Sequence, residues 1–345
     1  MMFSSLTVSA EEMQVSALSA VLYCADSGEV LYEKAAHEKR AIASITKVMT
    51  AILALEQAAV SDKEVTFTYN MIAEGSSMYL KVGDKLKLSE LVKGMMMVSG
   101  NDAANAIAIA VSGSKEKFAE KMNAKAHELG MNDTHFVTPS GLDDEMHYST
   151  AYDMALLCSY AMKNEQFQNI VSQKSMSVSF VFPENQTQVY RNHNKLLSLY
   201  EDCIGIKTGF TKKAGRTLTS CAERNGVRLV AVTLNDGDDW NDHIAMYEYG
   251  FRMTEKVSFS DKPQIWEMPV AGSQKEHIKV VPEKPCSAVI LKGTEETVVQ
   301  KVYMPHFVYA PVSKGKVLGE VQYHLNGRMI ASAKLVAAES CLYHS

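Results

Sequence analysis

The chain has 345 residues, 46% hydrophobic and 22% charged, with 35 Lys and Arg against 40 Asp and Glu for a formal net charge of −5. At roughly 150 residues per domain, that length predicts one large domain with a smaller companion, and the composition is that of an ordinary globular protein. The mildly acidic balance, without a basic block to track a phosphate backbone, argues against nucleic acid as a partner, and no run of 18 apolar residues predicts a spanning helix.

Residues 1–10 end in Val8-Ser9-Ala10, which resembles the small-residue cleavage site of a signal peptide. The basic start and apolar stretch that normally precede such a site are incomplete. Residues 17–36 carry the turn signal Asp26-Ser27-Gly28 between two β-prone runs and predict a hairpin. From Ser44, the residues Ile45, Val48, Met49, Ile52 and Leu55 recur at spacings of three and four, the pattern of a largely buried helix. Further helices are predicted over Ser89–Val98 and Asp102–Val111, joined by Ser99-Gly100-Asn101, then over Lys115–Leu129 and Thr150–Lys163.

Strand signals return at Gly205–Thr208, Gly215–Ala222 and Val227–Leu234, the last two joined by the hairpin dipeptide Asn225-Gly226. Strands at both ends with helices between them predict an α+β domain over residues 11–255, one antiparallel sheet backed by a helical cluster. Beyond residue 255 short alternating segments dominate, and residues 256–345 read as a small all-β domain.

The six cysteines, Cys24, Cys158, Cys203, Cys221, Cys286 and Cys341, are never closer than 18 residues and read as scattered buried thiols. No zinc, dinucleotide, phosphate-loop or nucleophile-elbow signature occurs, so several common enzyme classes lack their usual mark here. His147, His193 and His243 read as structural hydrogen-bonding residues, Met95-Met96-Met97 as helix core and surface, and Asp236, Asp238, Asp239 and Asp242 as a solvated acidic loop.

Three short motifs carry chemistry. Ser44-Ile45-Thr46-Lys47 places a hydroxyl and an amine one helical turn apart, where a lysine of lowered pKa can take the serine proton. Alone it is weak, because Ser112-x-x-Lys115 and Ser313-x-x-Lys316 also fit. Ser99-Gly100-Asn101 is the only Ser-x-Asn in the chain; its hydroxyl can relay a proton to a leaving amine while the Asn101 amide holds a substrate carbonyl. Lys207-Thr208-Gly209 lies on a predicted strand, where a substrate can pair as an added strand and a backbone N–H just past the glycine can serve an oxyanion.

In this order, with 52 residues from Lys47 to Ser99 and 106 from Asn101 to Lys207, the motifs resemble those of the penicillin-recognising serine enzymes. Within that group the sequence is most similar to the low-molecular-weight D-alanyl-D-alanine carboxypeptidases. Asn132-Asp133-Thr134-His135-Phe136, Gly141-Leu142 and His193-Asn194-Lys195-Leu196-Leu197 add to the likeness, which spans residues 15–255.

The resemblance implies a β-lactamase/transpeptidase-like domain followed by the family's small β domain. It implies a cofactor-free hydrolase acting on peptidoglycan stem peptides and acylated by β-lactam antibiotics, at an extracytoplasmic, secreted or envelope-associated location. Ser44 would be the nucleophile, Lys47 the base and Ser99 the relay. Asn101, Lys207, Thr208 and Gly209 would bind substrate, and the backbone N–H groups of Ser44 and Phe210 would form the oxyanion hole. No amphipathic anchor is visible before Ser345, which leaves membrane attachment open. Two alternatives stand beside this reading: a class A-like β-lactamase, with Glu165 and Asn169 on a deacylation loop, and a catalytically silent wall-binding protein.

Overall fold

The computed structural model describes residues 13–260 and 264–343, so the signal-like segment at residues 1–10 lies outside it. The described chain divides into two compact units, the second beginning at Phe251 and also taking in residues 225–227. The first unit opens with the hairpin β1 (Ser19–Cys24) and β2 (Glu29–Lys34), followed by a 3-10 turn, Ala43–Thr46, that leads into α1 (Lys47–Val60). A two-stranded ribbon of β3 (Glu64–Thr66) and β4 (Lys85–Lys87) precedes α2 (Leu88–Val98), α3 (Asn101–Ser112), α4 (Lys115–Glu128), α5 (Ala151–Ala161) and α6 (Glu165–Val171). A second ribbon, β5 (Ser175–Ser179) with β6 (Thr187–Arg191), and the single turn α7 (Leu196–Leu199) lead to β7 (Cys203–Thr211), β8 (Gly215–Arg224), β9 (Val227–Leu234) and α8 (Asp239–Met253).

The main sheet has the order β2-β1-β9-β8-β7. β1 pairs antiparallel with both β2 and β9, and β7 pairs antiparallel with β8, so β7 is an edge strand. The Asn-Gly expectation holds: Asn225 and Gly226 have φ of 52° and 74°, the two positive values that a tight hairpin of matching twist requires. The predicted helices also form with the caps their sequences offer. Ser114 accepts from the N–H of Lys117 and Thr150 from that of Asp153, each satisfying an amide that the first helical turn leaves unpaired.

Helix α1 is the axis of the core. Every residue from Lys47 to Leu55 is buried, so the helix is enclosed on all sides and not only along one stripe. This explains why Ala43–Val60 is, among the described residues, a helical stretch apolar and long enough to cross a membrane by composition, although two thirds of it is buried in protein. Met95, Met96 and Met97 are all buried in the same cluster, none of them at the surface.

Three expectations are corrected. Residues 239–253 form a helix, so Asp239 and Asp242 lie on it and not in an acidic loop with Asp236 and Asp238. Asp236, Asp239 and Asp242 are buried, not solvated; the Ser16 hydroxyl lies 2.7 Å from Asp236 and 2.9 Å from Asp242. Finally, the helix expected from near Ser44 opens as a 3-10 turn over Ala43–Thr46 and is α-helical only after it. Ala43 has φ of 49°, so the chain makes a tight turn there and α1 proper begins at Lys47.

The second unit is all β. β10 (Thr254–Ser258) pairs with β13 (Ser287–Leu291). β11 (Trp266–Ala271), β12 (His277–Pro282), β14 (Val299–Tyr303), β15 (Val308–Tyr309), β16 (Val317–Leu325) and β17 (Arg328–Ala337) form a sheet ordered β14-β16-β17-β12-β11-β15. Alternate residues such as Met268, Val270, Ile278, Val280, Val321 and Leu335 face its core.

The turn before α1 is fixed by a glycine on a neighbouring segment. A Cβ on Gly141, which has φ of +81°, would lie 1.9 Å from the Ala43 carbonyl oxygen and 2.7 Å from Thr46 Oγ1. Gly113 has the same backbone hand, φ +82°, but faces open space. Gly113→Ala should therefore lose only about 1 kcal/mol from the left-handed backbone, whereas Gly141→Ala should lose at least about 2 kcal/mol more through overpacking. Thermal melts of the two variants give the comparison; equal losses would show that the Ala43–Gly141 contact constrains nothing.

Candidate active site

Lys47 is the first residue of α1 and Ser44 sits in the turn before it, so the two side chains share one face. Lys47 Nζ lies 2.9 Å from Ser44 Oγ. Its other neighbours are Asn101 Oδ1 at 2.7 Å and the Ser140 carbonyl at 2.6 Å. None of the three is a carboxylate. Burial, and after it the positive charge of Lys207, hold the Lys47 pKa well below the usual lysine value, against a smaller opposing pull from Asp102. A neutral amine has two N–H donors and one lone pair. The donors match Asn101 and Ser140, which leaves the lone pair for the Ser44 hydroxyl.

Ser99 ends α2 with a left-handed φ of 60°, a conformation uncommon outside glycine. Its Oγ is buried and has no hydrogen-bond partner. A buried hydroxyl left unpaired costs about 1–3 kcal/mol, so such an atom points to a partner supplied by something else. Asn101 opens α3, and its amide is engaged at both ends: Oδ1 accepts from Lys47 and Nδ2 donates to the Glu74 carbonyl at 2.7 Å. Next to it, the buried Asp102 accepts from the N–H groups of Met78 and Leu80 and from Ser77 Oγ, which ties residues 77–80 to the head of α3. In the sequence Asp102 stood out only as the first residue of a predicted helix.

Lys207, Thr208 and Gly209 lie on β7, the edge strand, with Lys207 and Thr208 on opposite faces as the strand period requires. Lys207 is buried, donates to the Thr208 carbonyl at 2.8 Å, and burial lowers its pKa to about 7. A Cβ on Gly209 would stand 2.4 Å from Thr217 Oγ1 and 2.9 Å from the Ser44 amide nitrogen. Glycine is what lets the edge strand approach the nucleophile's backbone. Thr217 Oγ1 in turn donates to the Ile42 carbonyl, holding the turn against β8.

Ser44, Ser99, Thr208, Gly209 and Phe210 line one open cleft of about 460 Å³, together with Ser76, His193, Lys195, Arg216, Asp239 and Trp240. Phe210 is 66% exposed at its rim. Lys47, Lys207 and Asn101 stand behind this wall as buried groups. Among the described residues no group of three or more His, Cys, Asp or Glu could hold a metal ion, and all six cysteines are buried free thiols.

The structural reading holds for two of the three histidines. His147 Nδ1 accepts from the N–H groups of Val137 and Thr138, so its Nε2 donates to Thr46 Oγ1 at 2.8 Å; burial lowers its pKa to about 4. His243 lies buried between Ser220 and Thr233, with its pKa lowered by burial to about 3. His193 departs from that reading. It lines the cleft, no side-chain hydrogen bond holds its ring, and partial burial and Lys207 lower its pKa. Glu165 and Asn169 are exposed on helix α6, and neither lines the cleft, so no deacylation loop of the β-lactamase kind forms from them. Arg216 and Trp240 escaped sequence reading because neither belongs to a motif.

Residues 6–238 match the family model described as D-alanyl-D-alanine carboxypeptidase, and residues 255–341 match the model described as penicillin-binding protein 5, C-terminal domain. The D-alanyl-D-alanine carboxypeptidase DacF of Bacillus subtilis (strain 168) is 33% identical over 340 residues, covering 95% of this chain and 86% of that protein. The structure of penicillin binding protein 5 from Haemophilus influenzae aligns with a TM-score of 0.70 at 29% identity, over 95% of this chain and 98% of that one. A variant of the Streptomyces K15 DD-transpeptidase aligns with a TM-score of 0.65 at 31% identity, over 70% of this chain and 99% of its own. The expected transpeptidase-like fold with a β-rich C-terminal domain is therefore present. With matches of this length, the chain belongs to the family of serine-type D-alanyl-D-alanine carboxypeptidases.

Proposed function

We propose that Ser44 Oγ attacks the carbonyl between the two D-alanines of a peptidoglycan stem peptide while Lys47 Nζ accepts its proton. The backbone N–H groups of Ser44 and Phe210 receive the developing oxyanion, and the Ser99 hydroxyl passes a proton to the departing D-alanine amine. Water then hydrolyses the acyl-enzyme on Ser44. Lys207 and Thr208 hold the terminal carboxylate, Gly209 lets the peptide lie along β7, and Asn101 positions Lys47 and the acyl amide.

The observation that carries this reading is the 2.9 Å approach of a fully buried lysine amine to Ser44 Oγ, beside the unpartnered hydroxyl of Ser99. A penicillin enters the same sequence of steps and stays on Ser44, because its leaving group remains tethered and blocks the water. Peptidoglycan lies outside the cytoplasm, which supports an extracytoplasmic, secreted or envelope-associated site of action.

D-alanine release from a peptide ending in D-Ala-D-Ala should be lost on Ser44→Ala, by at least about 1,000-fold in kcat. Retained release in that variant would remove the assignment. Lys47→Ala should slow penicillin acylation by about 100- to 10,000-fold, the range of a general base, while the protein still folds; an unchanged acylation rate would assign the proton to another group.

The pH dependence follows from the two lysines. Lys47 must be neutral, so kcat/KM should rise with pH through its lowered pKa and reach its plateau well below the ordinary lysine range. Lys207 must be charged to hold a carboxylate, so kcat/KM should fall as pH passes about 7, with the loss appearing as a raised KM. A profile still climbing at pH 10 would contradict both assignments.

A further inference from the structure

Hydrolysis of an acylated Ser44 makes a different demand from its formation. Lys47 Nζ lies 2.9 Å from Ser44 Oγ, the oxygen that must now leave. The amine is therefore placed to return a proton to that oxygen, and a second group has to take one from the attacking water. The departing amine vacates the side of the cleft marked by Ser99, and the water stands in that space.

His193 borders the same space. Its backbone N–H donates to the Met97 carbonyl at 3.3 Å, which seats the residue against the end of α2, just before Ser99. Asparagine turns fix the backbone around it: Asn192 Oδ1 accepts from the Asn194 N–H at 2.9 Å, and Asn194 Oδ1 accepts from the Leu196 N–H at 3.1 Å. The ring, by contrast, lines the cleft and has no hydrogen-bond partner among the described residues. Partial burial, and after it the positive charge of Lys207 on β7, lower its pKa, so a ring nitrogen keeps its lone pair at neutral pH. Of the other charged groups lining the cleft, Asp239 is engaged by Arg216, and Lys195 and Arg216 bring positive charge only.

Resting on Ser44 as the acylated nucleophile, we infer that His193 is the catalytic base of deacylation, taking a proton from the water that replaces the leaving D-alanine. The water oxygen bonds to the acyl carbon as His193 takes the first proton. The bond from that carbon to Ser44 Oγ then breaks, the second water proton reaches Ser44 Oγ through Lys47, and the product leaves as a carboxylate. His193 gives its proton to solvent, and the site is restored.

A peptide whose terminal D-alanine is replaced by a thiol ester separates the two half-reactions in the full chain. Release of the thiol in the first turnover reports acylation, and loss of the Ser44 adduct from the intact mass reports deacylation. His193→Gln and His193→Ala should release the thiol at near the wild-type rate but lose the adduct about 100-fold or more slowly, so that the acyl-enzyme accumulates. Wild-type deacylation should rise with pH through a value below the ordinary histidine pKa, and both variants should lose that limb. Imidazole in solution should restore part of the rate to His193→Ala, where it can occupy the space of the ring, a recovery that a structural role would not give. Adduct loss at the wild-type rate in either variant, or an equal slowing of both steps, would overturn the role of His193. A wild type that forms no adduct on Ser44 would refute the underlying assignment and this inference with it.

Discussion

The site depends on one constraint: an amine placed where charge is expensive. Lys47 is enclosed by α1, by the head of α3 and by the carbonyl of Ser140, and no carboxylate is hydrogen-bonded to its nitrogen. Burial without an anionic partner disfavours the ammonium form. A second buried lysine, Lys207, adds repulsion of the same sign. The fold thus places beside a serine an amine biased towards its neutral form, with no histidine involved.

Holding that amine in place constrains the chain around it. The turn carrying Ser44 is pressed from one side by Gly141, whose missing side chain admits the Ala43 carbonyl, and from the other by Gly209 on β7. Thr217 and His147 hold the same turn through Ile42 and Thr46. Asp102 secures the opposite wall by fixing residues 77–80 on the head of α3. These contacts come from distant parts of the sequence, so a rigid α+β core is what makes the short Ser-Lys spacing usable.

The motifs were legible because each states its chemistry within a few residues. Ser44, Lys47, Ser99 and Lys207 converge as their types and order imply, and the hairpin at Asn225-Gly226 forms because both residues tolerate positive φ. Helix α8 was hidden by the turn-forming residues 235–238 before it; Asp236 among them and Asp242 within the helix pack inward against Ser16 rather than into water. Ser140 and Asp102 act through tertiary contact alone, and Gly141, although part of the family likeness, gave no sign of what its missing side chain admits. His193 has neither partner nor spacing to distinguish it from a structural histidine until the cleft is seen around it.

The most direct measurement is the titration of Lys47 itself, followed by NMR at the lysine Nζ and Cε positions in labelled protein, with Lys47→Ala assigning the signal. The account predicts an amine that gives up its proton well below the ordinary lysine range. A Lys47 signal that stays protonated up to the ordinary lysine range would contradict it, because the base at Ser44 would then have no lone pair to offer.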